Sequence, residues 1–201
     1  MIAIIDYGAG NIRSVQKAVA HLGQKAVITS DHKEILQADK VILPGVGAFG
    51  SLMEILKKGR LHEIIKQTVD GGKPFLGICL GLQALFESSE ESVDVQGLNI
   101  LKGRIVKIPQ GEGLKIPHIG WNSLNILKSD VLFKGIPQGE YFYFVHSYYL
   151  KTEDTDIVSA ETTYGENLQV AVEQGNIHAV QFHPEKSGEA GLMVLNNFLS
   201  L

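Results

Sequence analysis

The first eighty residues alternate between short apolar runs and stretches whose apolar residues recur at helical spacing. The apolar runs are residues 2–6, 26–28, 41–43 and 74–79. Runs of this length that carry few polar side chains are typical of strands buried on both faces. Regular alternation of such strands with helices predicts a parallel sheet that helices cover on both sides.

The helical stretches between these strands are marked by spacing and by end signals. Apolar residues at positions 12, 15, 19 and 22 form one helical face that ends at Gly23. Asp31 followed by Glu34 predicts a capping box at the start of a short helix. Pro44 and Gly45 are expected to stop the third strand. Further helices are predicted over residues 49–57, 61–69 and 80–86.

The second half of the chain has a different pattern. Segments rich in Val, Tyr and Phe cover residues 141–149, 157–163, 168–173 and 177–182. Gly175 and Asn176 separate the last two, which favours a tight antiparallel hairpin. A final helix is predicted after Ser187. We therefore expect one α/β domain over residues 1–201, with an open, mostly parallel central sheet, helices on both faces and an antiparallel extension in the C-terminal half.

Composition excludes several classes of function. The chain is 44% hydrophobic and 20% charged, with a formal net charge of −4 and no run of basic residues. A nucleic-acid-binding surface or a polybasic membrane patch is therefore not expected. No secretory signal is evident at the N-terminus, and one cysteine cannot form an internal disulfide. These features predict a cytoplasmic protein without membrane contact.

The sharpest local motif is Gly-Ile-Cys-Leu-Gly at residues 77–81, where a strand is predicted to meet a helix. A nucleophile in this position, with glycine two residues away on each side, forms a nucleophile elbow. The turn is so tight that larger flanking side chains would collide, and the helix dipole favours the thiolate of Cys79. The alternative is a buried structural cysteine, yet glycines at both flanking positions arise by chance in roughly 1% of cases.

A cysteine nucleophile needs a base and a group that orients the base. His183-Pro184-Glu185 supplies both at a predicted strand end. Proline holds the backbone extended, so side chains two residues apart share a face and Glu185 can reach the imidazole of His183. The alternative for each residue alone is a solvated surface side chain. Zinc is disfavoured because a third ligand at sensible spacing is missing.

The loop Pro44-Gly45-Val46-Gly47 directly follows a predicted strand. Its glycines free the backbone to point N–H groups at an anion, and the N–H of Leu80 would add a donor. Val46, Gly47 and Leu80 are therefore candidates for an oxyanion hole. The alternative is an ordinary turn.

Together the loop, the Gly-x-Cys-x-Gly elbow and the His-Pro-Glu motif resemble the class I, or triad, glutamine amidotransferases, over essentially the whole chain. The resemblance implies a flavodoxin-like fold, no cofactor and no metal. It also implies a mechanism in which the Cys79 thiolate attacks the side-chain amide of glutamine. His183 then protonates the departing ammonia, Glu185 orients His183, and water hydrolyses a γ-glutamyl thioester.

Four further stretches resemble one subfamily, the glutaminase subunits of imidazole glycerol phosphate synthases in histidine biosynthesis. They are residues 6–11, 44–50, 117–122 and 143–148. The resemblance implies a heterodimer with a (β/α)₈-barrel cyclase subunit that receives the ammonia. It further implies a nearly inactive free subunit, in which the Val46 region must turn a donor toward the oxyanion hole. By the same resemblance Gly47, Gln83, Ser147 and Tyr148 line the glutamine site, and Asn11, Trp121, Tyr143 and Lys186 lie near the partner.

Three other hypotheses stay open at this point. Gly8-Ala9-Gly10 with Asp31 suggests dinucleotide binding, although Arg13 stands where the fingerprint has glycine. The chain could be a binding subunit with a decayed site, or a stand-alone hydrolase or other amidotransferase such as the pyridoxal phosphate synthase glutaminase. Trp121 could belong to the core instead of an interface.

Overall fold

A computed structural model describes residues 1–8, 11–111 and 113–201, so Ala9 and Gly10 of the first predicted loop lie outside the described residues. Within these ranges the strands are β1 (Ile2–Ile5), β2 (Ala26–Thr29), β3 (Lys40–Gly45), β4 (Phe75–Cys79), β5 (Ser88–Ser89), β6 (Arg104–Lys107), β7 (His118–Ser123), β8 (Asn125–Ile126), β9 (Tyr141–His146), β10 (Tyr148–Lys151), β11 (Val158–Tyr164), β12 (Glu166–Gln174) and β13 (Ile177–Val180). The helices are α1 (Ile12–His21), α2 (His32–Gln37), α3 (Phe49–Lys58), α4 (Leu61–Asp70), α5 (Leu80–Ala84) and α6 (Gly188–Leu199). Short 3₁₀ turns cover Thr155–Ile157 and Pro184–Lys186.

The parallel half of the main sheet has the strand order β2-β1-β3-β4-β13, and every neighbouring pair in it is parallel. This order, with a strand from the end of the chain in fifth place, is the flavodoxin-like, doubly wound arrangement. The predicted α/β fold with a mostly parallel sheet is confirmed.

The packing of β1 on both of its faces explains why its sequence is apolar without interruption. Ile2 and Ile4 pack in one buried cluster with α1 and α6, whereas Ala3 and Ile5 pack in a second cluster with α3 and α4. Because helices cover both faces, no position of the strand meets water and none needs a polar side chain.

The antiparallel extension is also confirmed, although its strands differ in detail. β12 and β13 form a hairpin around Gly175, whose φ of +58° suits a two-residue turn. The segment rich in Val, Tyr and Phe over residues 141–149 contains two strands, β9 and the start of β10. β9 pairs with β7 in a separate two-stranded sheet, and after Ser147 the chain enters the main sheet as β10. The aromatic pattern runs through both strands, so it hides the change of sheet.

Two other local predictions need correction. β3 does not stop before Pro44 but continues to Gly45, which pairs with Cys79. Pro44 is tolerated because pairing with β1 ends at Ile42, so its missing N–H removes no ladder bond on that side. Helix α5 ends at Ala84 instead of Phe86, since the N–H of Leu85 turns to a carbonyl three residues back.

The capping box at α2 forms only in part. The Asp31 carboxylate accepts from the N–H groups of Lys33 and Glu34, at 2.9 and 3.0 Å. The N–H of Asp31 donates to Thr29 Oγ1 instead of to Glu34. The carboxylate that the dinucleotide hypothesis assigned to a ribose is therefore engaged in capping a helix.

The carboxyl ends of β1, β3, β4 and β13 meet at one edge of the sheet, because all four strands are parallel. In doubly wound folds this edge is where ligands bind. The elbow, the β3–α3 loop and the His-Pro-Glu motif all follow these strand ends. Among the described residues, no helix is long and apolar enough to cross a membrane.

Candidate active site at the carboxyl edge of the sheet

Cys79 stands at the junction of β4 and α5 in a strained conformation, with φ +56° and ψ −108°. A Cβ added to Gly81 would lie 1.9 Å from the Leu43 carbonyl oxygen, and one added to Gly77 would lie 2.7 Å from the Gly81 carbonyl oxygen. Both distances are shorter than atoms allow, so the chain can turn here only with glycine at both positions. The strand–turn–helix geometry that the motif predicts is present, and the close approaches at Gly77 and Gly81 are the predicted reason for its glycines.

His183 and Glu185 meet as the spacing predicts. The Nδ1–H of His183 donates to Glu185 Oε1 at 2.9 Å, and the two side chains are 2% and 1% exposed. The bond fixes the imidazole so that Nε2 is the nitrogen left for chemistry. Nε2 of His183 is buried, and it has no hydrogen-bond partner among the described residues.

Three effects set the protonation of His183. Burial lowers its pKa, but the contacts with Cys79 and Glu185 outweigh burial and bring the pKa to about 9. His183 is therefore an imidazolium at pH 7, so a positive charge stands beside the sulfur of Cys79. A positive charge beside a cysteine is a feature of activated cysteine nucleophiles.

This pKa gives a pH prediction. We expect kcat/KM of the reaction at this site to fall as pH rises through about 9, because a neutral His183 has no proton to give to a leaving group. Glu185→Gln removes a charge that raises the pKa, so the alkaline limb should move down by about one to two pH units. Initial-rate profiles of the two proteins check this; an unmoved limb in Glu185→Gln contradicts it.

A cavity of about 260 Å³ opens beside Cys79 and His183. It is lined by Val46, Gly47, Cys79, Leu80, Gln83, Glu91, Pro117, Val145, His146, Ser147, Tyr148 and His183. All predicted oxyanion and substrate residues are therefore brought to one space, and Glu185 lies behind His183. The volume is below the ~300–1,000 Å³ of pockets for drug-sized ligands, and it suits a single amino acid.

Comparison with known proteins decides the family. A sequence model described as glutamine amidotransferase class-I matches residues 3–201. The chain belongs to the class I glutamine amidotransferases. It is 51% identical over 203 residues, 98% of both chains, to the imidazole glycerol phosphate synthase subunit HisH of Syntrophotalea carbinolica. It is 52% identical over 201 residues, all of this chain and 98% of the relative, to the HisH subunit of Methanothermobacter thermautotrophicus.

Solved structures agree with this fold. A structure of PurLQS from Thermotoga maritima covers 99% of this amidotransferase with a TM-score of 0.76. The match extends over 97% of that chain at 21% sequence identity. At this identity the likeness shows the fold alone.

Gln181 and Glu91 are among the polar residues of the amidotransferase site that sequence reasoning missed. Gln181 is fully buried, and its Nε2 lies 3.5 Å from Cys79 Sγ. Glu91 lines the cavity and accepts from the N–H of Phe49 at 2.6 Å. The two-residue spacing that linked Glu185 to His183 also points back to Gln181. The sequence around Glu91 does not indicate a role at the site, because Glu91 lies in an acidic stretch typical of a solvated surface.

A second histidine in the cavity has a different character from His183. His146 Nδ1 lies 2.9 Å from the Tyr148 carbonyl oxygen, and its Nε2 lies 3.1 Å from Nδ1 of the buried His118. Burial lowers the pKa of both residues to about 4, so both are neutral at pH 7. Of His146 and His183, His183 is therefore the one that can hold a proton beside Cys79.

Three of the four predicted partner-facing residues, Trp121, Tyr143 and Lys186, lie together at the surface, with Tyr143 partly buried between the other two. Trp121 is 54% exposed and packs edge-on against Tyr143, with ring centroids 6.1 Å apart. Lys186 Nζ lies 5.8 Å from the centre of the Tyr143 ring. Asn11 lies at the start of α1, where it accepts from Ser14. The exposure of Trp121 argues against the alternative that it belongs to the core.

Proposed function

We propose that this chain is the glutaminase subunit of an imidazole glycerol phosphate synthase. It hydrolyses glutamine to glutamate and ammonia, and it delivers the ammonia to a synthase subunit in histidine biosynthesis. The observation that carries the proposal is a buried Cys79–His183–Glu185 arrangement at an amino-acid-sized cavity. Identity of about half to HisH subunits over the whole chain selects this synthase among the amidotransferases.

In the first step the Cys79 thiolate attacks the side-chain carbonyl carbon of glutamine and forms a tetrahedral intermediate. Leu80 opens α5, so its N–H has no acceptor within the helix and is free for the developing oxyanion. A second donor comes from the Val46–Gly47 loop. The carboxylate of Glu91 in the cavity offers a partner for the α-ammonium group of the substrate.

In the second step the intermediate collapses and the carbon–nitrogen bond breaks. His183 gives its proton to the leaving nitrogen, so ammonia departs and a γ-glutamyl thioester remains on Cys79. His183, now neutral, takes a proton from water, and the hydroxide attacks the thioester. Glutamate leaves and the thiolate–imidazolium pair is restored. Glu185 holds the imidazole in orientation throughout.

The ammonia is passed to a cyclase subunit with a (β/α)₈ barrel, and the two chains form a heterodimer. The proposal is supported by the exposed group of Trp121, Tyr143 and Lys186 beside the 3₁₀ turn that carries Glu185. The main chain connects this group to the catalytic histidine, because the N–H of His183 donates to the Tyr143 carbonyl at 3.0 Å. Aromatic residues such as Trp121 and Tyr143 are enriched in protein interfaces.

The partner also gates the reaction through the Val46 loop. The Val46 N–H donates to the hydroxyl of Tyr7 at 3.2 Å, and Tyr7 is not among the described residues that line the cavity. Burial and then the nearby Cys79 raise the pKa of Tyr7 despite the Val46 bond, so its hydroxyl is neutral and can accept this bond. An N–H held by Tyr7 is withheld from the oxyanion, and releasing it completes the oxyanion hole.

Removing the Tyr7 hydroxyl tests this gate. Tyr7→Phe should raise the glutaminase rate of the partner-free subunit about fivefold, since a neutral hydrogen bond contributes about 1 kcal/mol. The rate with liganded partner should change little. Tyr149→Phe is the matched control, because it loses a hydroxyl contact with Glu166 outside the cavity. A lower partner-free rate in Tyr7→Phe would mean that Tyr7 supports the active arrangement.

The experiment that tests the whole proposal is glutamate release from glutamine, by the chain alone and with a cyclase subunit and its ribotide ligand. We expect activity that depends on partner and ligand. Full activity of the chain alone would preserve the cysteine chemistry and overturn the assignment to this synthase. No activity under either condition would overturn the glutaminase assignment itself.

A further inference from the structure

Besides His183, the side chain of Gln181 contacts Cys79, from the end of the neighbouring strand β13. β13 is in register with β4 at Val180 and Ile78, so the residues that follow, Gln181 and Cys79, lie side by side. The side chain of Gln181 is fully buried, and its Nε2 donates to Cys79 Sγ at 3.5 Å. A buried amide N–H gains little by donating to a neutral sulfur, because sulfur is a weak acceptor unless it is charged.

The orientation of the Gln181 amide is fixed by its hydrogen bond with Gln83. Gln83 is 5% exposed, and its Nε2 donates both to Gln181 Oε1 at 3.0 Å and to the Tyr148 carbonyl at 3.2 Å. These two acceptors occupy both hydrogens of the Gln83 amide. Gln181 must therefore present its oxygen to Gln83 and its nitrogen to Cys79. The reverse orientation would set two amide NH₂ groups against each other.

The position of Gln181 complements that of His183. Both follow β13 and both face Cys79, but a primary amide does not titrate and cannot remove the proton that it donates. His183 can exchange a proton with the substrate, whereas Gln181 can only stabilise negative charge on sulfur. A hydrogen bond to the charged form of a group favours that form.

We propose that Gln181 is a catalytic residue that stabilises the Cys79 thiolate through its Nε2–H, and that Gln83 is the positioning residue that aims this amide. This rests on the proposed glutaminase function only for its role in turnover. No proton moves between Gln181 and Cys79. When sulfur attacks the substrate, its charge passes to the amide oxygen, and the bond from Gln181 weakens.

The test uses the fact that Cys79 is the only cysteine in the chain. The rate of alkylation by iodoacetamide is measured from pH 5 to 10 on the full-length chain, so each profile reports this one sulfur. Gln181→Met keeps the shape and removes the donor. We expect its half-maximal alkylation to shift up by about one pH unit, a tenfold lower rate below the midpoint. Gln181→Glu, of the same shape but anionic, should shift it further.

Thr68→Val is the control for the loss of a buried polar group, since Thr68 is 1% exposed and its hydroxyl donates to the Ile64 carbonyl in α4. Its profile should coincide with that of the wild type. At high pH all folded variants should reach the same limiting rate, which shows that access to sulfur is unchanged. If Gln181→Met does not fold, Gln181→Glu gives the answer by itself.

A Gln181 variant that is folded by circular dichroism and alkylates with the wild-type profile overturns the proposal and leaves Gln181 as packing. A shifted profile supports it, and in the complex kcat for glutamine should then fall about tenfold at pH 7 with KM little changed. A shifted profile together with a complex that shows no glutaminase activity would retain the thiolate role and reject the proposed function instead.

Discussion

Cys79→Ala should abolish glutamine-dependent synthesis by the complex, by a factor on the order of 10⁴ to 10⁶, because removing a nucleophile eliminates the thioester route. Synthesis from added ammonia should keep its full rate, since in the proposed complex the cyclase subunit carries out that step. The variant should also fold normally. Alanine retains the Cβ that already fits at φ +56°, and it removes only a sulfur at a buried position.

Product formation with glutamine and with ammonium chloride, measured side by side, tests this division. Cys79→Ser is the companion variant, because it keeps the shape of the side chain and exchanges the nucleophile for a weaker one. It should also fail with glutamine. Loss of the ammonia-dependent reaction in either variant would show that the elbow supports assembly of the complex as well as chemistry.

Gly81→Ala should destabilise the fold by about 3–5 kcal/mol, among the largest effects expected for a single methyl group. The added Cβ would lie 1.9 Å from the Leu43 carbonyl oxygen and 3.0 Å from the Leu43 carbonyl carbon. Both atoms belong to the backbone of β3, between β1 and β4, so they cannot move without disturbing the centre of the sheet. We expect poor expression or a melting temperature lowered by at least several degrees.

Gly59→Ala provides the matched control. Gly59 has φ −84°, and its nearest neighbour to an added Cβ is the Ile55 carbonyl oxygen at 3.4 Å, an ordinary contact. Its free energy of unfolding should stay within about 0.5–1 kcal/mol of the wild type. Thermal and urea unfolding of the two variants compare them directly. Equal stability would mean that β3 yields locally and that the tight elbow is not enforced by this approach.

The parallel half of the fold was accessible from sequence because each of its elements has its own local pattern. The α1 face illustrates this, since Ile12, Val15 and Val19 recur at helical spacing and are all buried. β7 was missed, because Gly120 and Asn122 interrupt any apolar run there. That strand exists through its pairing with β9, in which the paired residues are 18 to 28 positions apart. A pairing between distant segments leaves little trace in either segment alone.

The candidate site divides in the same way. Cys79, His183 and Glu185 were predicted because their chemistry depends on neighbours within two residues, in the elbow and in the His-Pro-Glu turn. Tyr7, Glu91 and Gln181 were not assigned roles at the site. Each reaches it from a different strand end or loop, and its own local sequence resembles an ordinary strand end or solvated surface.

The sequence by itself therefore determined the sheet type and indicated the candidate nucleophile and base, since backbone strain and alternation are local properties of the chain. Only the tertiary structure decided how these groups are tuned. The hydrogen bonds of Val46 to Tyr7 and of Cys79 to Gln181 join residues 39 and 102 positions apart. Such contacts depend on strand order and register, and these are set by the packing of the whole sheet.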